Sequence, residues 1–188
     1  MNAQEIHDLL KNRFPNDIVG YDDQVKTPFI KVRREAILPV MRFLRDDPAL
    51  QFDFLQLITG LDYPDHFESV YHLYSYPRRH AIAIKADLPR DLPEIDSVEP
   101  IWRAADWHER ETFDLMGIIY KGHPDLRRIL CPEDWVGHPL RKDYRQPEEY
   151  HGISNVRRIG DDWYPKPDED IKAIVQYKPP KSVPPAAS

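Results

Sequence analysis

Residues 122–144 write Gly-His-Pro twice, as Gly122-His123-Pro124 and Gly137-His138-Pro139, with the chain's single cysteine, Cys131, between them. Two imidazoles and a thiol could hold a catalytic zinc, which takes three protein ligands and keeps one position open. The spacing argues against that chemistry. The candidate ligands are far apart on a proline-punctuated segment, and neither His-x-Glu with Cys-x-x-Cys nor His-Glu-x-x-His occurs. His108-Glu109-Arg110-Glu111 follows the latter pattern only until its fifth position, which is Thr112. No metal is expected here, and an independent metallohydrolase built on His123, Cys131 and His138 stands as the contrasting alternative.

Acid–base chemistry is the second possibility, because Glu109, Glu111 and Asp114 crowd one short stretch and His123 could share a proton with one of them. On a helix, Glu111 and Asp114 share a face and Glu109 lies well round from Glu111. There is no nucleophile elbow and no glycine-rich phosphate loop. These acids read as a solvated face or as partners of nearby arginines, and no catalytic residue is expected.

The third possibility is electrostatic. Residues 121–145 hold six basic residues against four acidic ones, whereas residues 90–114 hold three basic against eight acidic. Adjacent segments of opposite sign can pair with each other or across a boundary with another chain. Arginine suits either role, because its planar fork grips a carboxylate with two hydrogen bonds. In each Gly-His-Pro unit the proline disfavours helix at the histidine, and the glycine permits a left-handed backbone. Each unit is then a stiff corner that launches Leu126-Arg127-Arg128 or Leu140-Arg141-Lys142 in a fixed direction, with Trp135 between the corners as a core residue or an interface anchor.

The elements that must hold these corners are legible upstream. Residues 3–14 read as a helix opened by Asn2 and Glu5, and 18–25 with 29–34 as a hairpin. Residues 36–45 read as a second helix that buries Val40, Phe43 and Leu44 and starts late or kinks because of Pro39. Residues 52–63, 68–76 and 80–87 read as strands, with Tyr71 and Leu73 on one face and Val70, His72 and Tyr74 on the other. A helix over 97–116 is expected, capped by Ser97 and closed by Gly117. The fold class is α+β: helices packed on a mostly antiparallel sheet in a domain over 1–145. Residues 146–178 are then expected as an extended, proline-rich partner-binding arm, and residues 179–188 as a disordered or partner-bound tail.

The totals exclude several roles. A net charge of -6 argues against general nucleic-acid binding. One cysteine cannot form an internal disulfide or an all-cysteine iron–sulfur site. No apolar run approaches the roughly 20 residues that span a bilayer, and the opening MNAQEIHDLL has no signal-peptide pattern. A cytoplasmic location is expected, with membrane association only through other chains.

The run WHERETFDLMGIIYKGHPDLRRILCPEDWVGHPLRKDY, residues 107–144, resembles the signature of the 30-kilodalton (C-type) subunit of respiratory complex I, the NADH–quinone oxidoreductase. Glu109-Arg110-Glu111, Phe113-Asp114, Gly117-Ile118, Gly122 to Leu130, Asp134-Trp135 and Gly137 to Tyr144 carry the likeness, and residues 42–63, 71–75 and 97–107 extend it. The resemblance implies a structural and assembly component of the hydrophilic arm. Such a component contacts the 49-kilodalton (D-type) subunit, next to the B-type subunit, at the cytoplasmic face of the membrane. It implies no cofactor in this chain, the flavin and iron–sulfur clusters belonging to other subunits. Partner binding is expected at Arg127, Arg128, Trp135, Arg141, Lys142 and Tyr144, and along the arm at Trp163 and Tyr164. A homologous component of a membrane-bound hydrogenase or of a deazaflavin-linked quinone reductase is the alternative.

Overall fold

Asn2 and Glu5 cap each other's backbone: Asn2 Oδ1 accepts from the Glu5 N–H at 2.8 Å, and the Glu5 carboxylate accepts from the Asn2 N–H at 2.9 Å. The reciprocal cap starts α1 (Ala3–Arg13), whose 3.6-residue period buries Ile6 and Leu10. The computed structural model describes residues 1–155, of which Met1–Gln146 form one unit and the residues from Pro147 onward another.

In the first unit, β1 (Ile18–Asp22) pairs antiparallel with β2 (Phe29–Val32), the hairpin read from the sequence. A 3-10 turn at Arg34–Ala36 leads into α2 (Ile37–Asp46). Pro39 thus lies in the first turn, where its missing N–H breaks no helical bond. α2 buries Ile37, Val40, Met41 and Leu44. Phe43, expected on the buried face, is only half-buried and meets Phe14 edge-on at 5.7 Å, with Met41 in its place in the core.

The strands β3 (Phe54–Asp62), β4 (His66–Ser75) and β5 (His80–Pro89) form an antiparallel meander. The five-stranded sheet has the order β1-β2-β5-β4-β3, and only β2 beside β5 is parallel. Tyr71 and Leu73 oppose Ile84 and Ile82 on the face that joins Ile6, Leu10, Val40 and Leu44 in the core. The other face carries charge: Lys31 lies 2.8 Å from Asp87, and Lys85 2.9 Å from the buried Glu68.

A second, two-stranded parallel sheet joins β6 (Glu94–Asp96) to β7 (Ile119–Lys121) across α3 (Ala105–Met116). The helix is shorter than the expected span of 97–116, and Ser97 does not cap it. The Ser97 hydroxyl donates to Glu109 at 2.6 Å and accepts from the Glu99 N–H at 3.1 Å, while the Ile101 and Trp102 N–H groups turn back onto Val98 O. A side chain bonded in this way favours a turn over helix. Gly117 does close α3, at φ 73°.

In the second unit, β8 (Glu149–Tyr150) and β9 (Ile153–Ser154) make a small hairpin, and the Asn155 side chain donates to Pro147 O at 3.1 Å. The rest of the expected arm, including Trp163 and Tyr164, and the expected tail lie outside the described residues.

Candidate functional site

The last carbonyls of a helix have no partner within it. At the end of α3 the second Gly-His-Pro corner supplies three donors. His138 Nδ1–H donates to Asp114 O at 2.9 Å, Leu140 N–H to Leu115 O at 2.9 Å, and Arg141 Nε–H to Met116 O at 2.7 Å. Burial holds the His138 imidazole below its ordinary pKa, which suits a neutral ring donating to a carbonyl. This close seat explains Gly117. A Cβ there would collide with the Arg141 guanidinium and lie 2.6 Å from His138 Nε2.

The first corner grips the other end of α3. The His123 side chain has no exposed surface, and its Nε2 lies 3.3 Å from both the carbonyl and the carboxylate of Asp106. Its Nδ1 accepts the Asp125 N–H at 3.0 Å, which leaves the ring proton on the Nε2 that faces Asp106. Arg110 Nε donates to Arg127 O at 3.3 Å and extends the contact. Both corner glycines adopt the left-handed backbone that the sequence permits, at φ 80° for Gly122 and 82° for Gly137.

Between the corners, the buried Asp114 carboxylate organises the loop. It accepts the N–H groups of Ile129, Leu130 and Cys131 at 3.1, 2.7 and 2.8 Å, and pairs with Arg128 Nη1 at 2.9 Å. Burial alone would raise its pKa, but the three N–H groups and the guanidinium outweigh burial and hold it below the usual carboxylate range. Arg128 Nη2 also donates to Gly137 O at 2.9 Å, so one guanidinium links both halves of the loop. The loop's far end is tied to β3. Asp62 accepts the Lys142 N–H at 2.7 Å and an Arg90 N–H, and Arg90 and Arg141 both lie over the Phe67 ring.

The proposed zinc ligands are not brought together. His123 sits at Asp106, His138 at the carbonyl of Asp114, and burial beside Asp114 pushes the Cys131 thiol up, away from the thiolate a metal needs. Among the described residues the His/carboxylate group close enough to share a cation is His66, Glu68 and Asp87, and the ammoniums of Lys31 and Lys85 already lie against those carboxylates.

Nor do the three α3 acids make one face. Glu111 is exposed, Asp114 is in its nest, and Glu109 is fully buried rather than solvated. Glu109 accepts from Ser97 Oγ at 2.6 Å and the Val98 N–H at 2.7 Å. Burial, with Glu99 and Asp106 nearby, outweighs these two bonds and pushes its pKa up to about 7.

Of the expected partner-binding residues, Arg128 and Arg141 face inward onto α3, and Trp135 and Tyr144 are half-buried. Arg127 and Lys142 face outward, Arg127 with an ion pair to Asp125 at 2.8 Å. The loop also exposes three aliphatic residues that were not among the expected partner-binding residues: Leu130 at 61%, Val136 at 76% and Leu140 at 59%. No periodic signal marks them, because only the loop's hydrogen bonds decide which side chains point out. Among the described residues, no helix is long and apolar enough to cross a membrane.

Known proteins share this arrangement's sequence. Residues 30–150 match the family described as respiratory-chain NADH dehydrogenase, 30-kilodalton subunit. The C-type subunit of NADH–quinone oxidoreductase from Chlorobium phaeobacteroides is 41% identical over 160 residues, covering 80% of this chain and 93% of the relative. Its counterpart in Roseiflexus castenholzii is 46% identical over 137 residues, covering 71% and 79%. The solved trypsin-resistant fragment of Nqo5 superposes with a TM-score of 0.56 at 28% identity, covering 67% of this chain and all of the fragment.

Proposed function

Because the chain belongs to the 30-kilodalton subunit family of respiratory-chain NADH dehydrogenase, we propose that it serves as a non-catalytic structural component in the peripheral arm of a proton-translocating NADH–quinone oxidoreductase. In this role it holds neighbouring subunits of the D and B types at the cytoplasmic face of the membrane, and the flavin and iron–sulfur clusters reside in other chains of the complex. Relatives named as the C-type subunit of NADH–quinone oxidoreductase favour this assembly over a related hydrogenase or deazaflavin-linked complex.

The observation that carries the proposal is the double clamp on α3. His123, His138, Asp114, Arg128 and Arg141, five polar groups of residues 107–144, bond to the helix or to the loop itself. They fix a rigid surface from which Arg127, Lys142, Leu130, Val136 and Leu140 project. A pre-ordered surface gives up little conformational freedom on docking, which favours a scaffold.

The test is to tag the chain, solubilise membranes in mild detergent and identify what co-purifies. Stoichiometric recovery of flavin- and iron–sulfur-containing subunits is expected. Recovery of a lone monomer that turns over a substrate would overturn the proposal.

A further inference from the structure

Strand β3 ends the sheet order, so among the described residues one of its backbone edges has no strand partner. Beside that edge lies a groove of about 250 Å³, walled on one side by Leu57, Ile58, Thr59 and Gly60 and on the other by α3 and Leu140. Alternate residues of a strand point to opposite faces, so four consecutive residues lining one groove place it along the strand's edge. The floor is apolar, from Leu57, Leu115, Met116 and Leu140, and Leu57 and Leu140 are exposed. The volume lies below the roughly 300–1,000 Å³ of small-molecule sites, which suits an inserted side chain better than a cofactor.

Two details define what would fill it. The ladder between β3 and β4 is irregular between Leu55 and Leu57, an irregularity that protects an edge from pairing. From Leu57 to Asp62 the ladder is regular, so the stretch beside the groove keeps the geometry a new strand needs. At the rim, Glu111 on α3 is exposed and makes no ion pair among the described residues, with His108 one turn away. An unpaired carboxylate beside an apolar groove complements a cation next to an apolar side chain.

We propose that this groove docks an extended segment of a partner subunit. The segment adds a strand to β3 over residues 57–61, inserts an apolar side chain between Leu57, Leu115 and Leu140, and sets a neighbouring lysine or arginine against Glu111. Main-chain bonds then give affinity and the groove gives selectivity, as in other strand-addition complexes. The inference rests on the scaffold reading above and names the surface through which that scaffold holds a neighbour.

The experiment installs the photo-crosslinking residue p-benzoylphenylalanine at Leu57 in the chain as it assembles in cells, irradiates the isolated complex and sequences the crosslinked peptide. In parallel, Glu111→Lys is introduced. The expected peptide comes from a redox subunit of the same complex and pairs an apolar residue with an adjacent lysine or arginine. Glu111→Lys should lower its crosslinked yield at least tenfold while leaving the chain's melting temperature unchanged. Crosslinking to a second copy, to this chain itself, or to a segment without a basic neighbour would overturn the inference, as would an unchanged yield in Glu111→Lys. If redox subunits still co-purify while the crosslink fails, only the groove assignment falls. If none co-purifies with the wild-type chain, the scaffold reading falls first.

Discussion

Arg128 and Asp114 meet at 2.9 Å beneath the loop, and the same guanidinium reaches Gly137 O at 2.9 Å. The pair therefore joins α3 to the stretch between the corners and to the second Gly-His-Pro corner. The Asp114 side chain has no exposed surface and Arg128 keeps only 15% of its own, so this is a buried ion pair whose remaining oxygen capacity is filled by three backbone N–H groups. Removing one member of such a pair leaves the other charged and unpartnered, which costs more than the pair itself contributes.

Asp114→Asn is accordingly expected to lower unfolding stability by about 3 kcal/mol, because the amide would turn a donor toward N–H groups and leave Arg128 unpaired. Urea unfolding at neutral pH measures it. Asp114 has a depressed pKa in the folded state, so its stabilisation is complete above the ordinary carboxylate range and is lost as pH falls through the folded value. The wild-type protein should lose this contribution in acid, and the variant should have none to lose. A loss under 0.5 kcal/mol, roughly the size of a neutral surface change, would show that the carboxylate does not organise the loop.

Glu109 gives the opposite slope. Its folded pKa of about 7 lies above that of an exposed glutamate, so the folded chain holds a proton that the unfolded chain has released. Stability should fall as pH rises from the ordinary glutamate range through about 7, by about 3 kcal/mol in all. Melting temperatures at pH 5, 6, 7 and 8 are roughly spaced to follow this titration, with Glu99, Asp106 and His123 as the neighbouring titratable groups. Glu109→Gln should flatten the profile, and a profile unchanged by that substitution would contradict the assignment.

Gly117→Ala and Gly122→Ala separate backbone strain from collision. Both glycines have positive φ, and a left-handed alanine costs about 1–2 kcal/mol. At Gly122 a Cβ meets nothing within 4 Å, so the backbone cost should stand alone. At Gly117 the Cβ also displaces Arg141 and His138, so the loss should be distinctly larger. Equal losses by denaturant unfolding would mean that the second corner does not sit against the helix end.

The basic residues should divide by direction. Arg127→Ala with Lys142→Ala is expected to leave unfolding within about 0.5 kcal/mol of wild type, since exposed charges contribute little to folding. The same double variant should weaken attachment to the redox subunits, most visibly at low salt. Arg141→Ala should destabilise the isolated chain by about 1–2 kcal/mol, because Met116 O loses a charged donor and Phe67 loses one of its two covering guanidiniums. Co-purification at two salt concentrations, together with a melt of each variant, decides between the two roles.

Much of this molecule follows from local rules. The Asn2–Glu5 cap, the meander of β4 and β5 and the Gly117 stop depend on near neighbours and on periods of 3.6 and 2. The left-handed corners likewise follow from glycine before His-Pro. Opposite charge in residues 90–114 and 121–145 also proved informative: Asp114 and Arg128 pair at 2.9 Å, and Asp96 and Lys121 at 3.4 Å. The late start of α3 was not legible, because Ser97 makes an acceptable helix cap until Glu109 takes its hydroxyl from 12 residues away.

The residues by themselves determined the family, the α+β class and the presence of two rigid corners, since these rest on motif, periodicity and backbone preference. Tertiary structure alone decided that the corners close on opposite ends of one helix, that Arg128 and Arg141 face inward while Arg127 and Lys142 face outward, and that Glu109 is buried. The physical reason is that a side chain's direction in an irregular loop is set by its hydrogen-bond partners. Here those partners are helix carbonyls and carboxylates up to 25 residues distant along the chain.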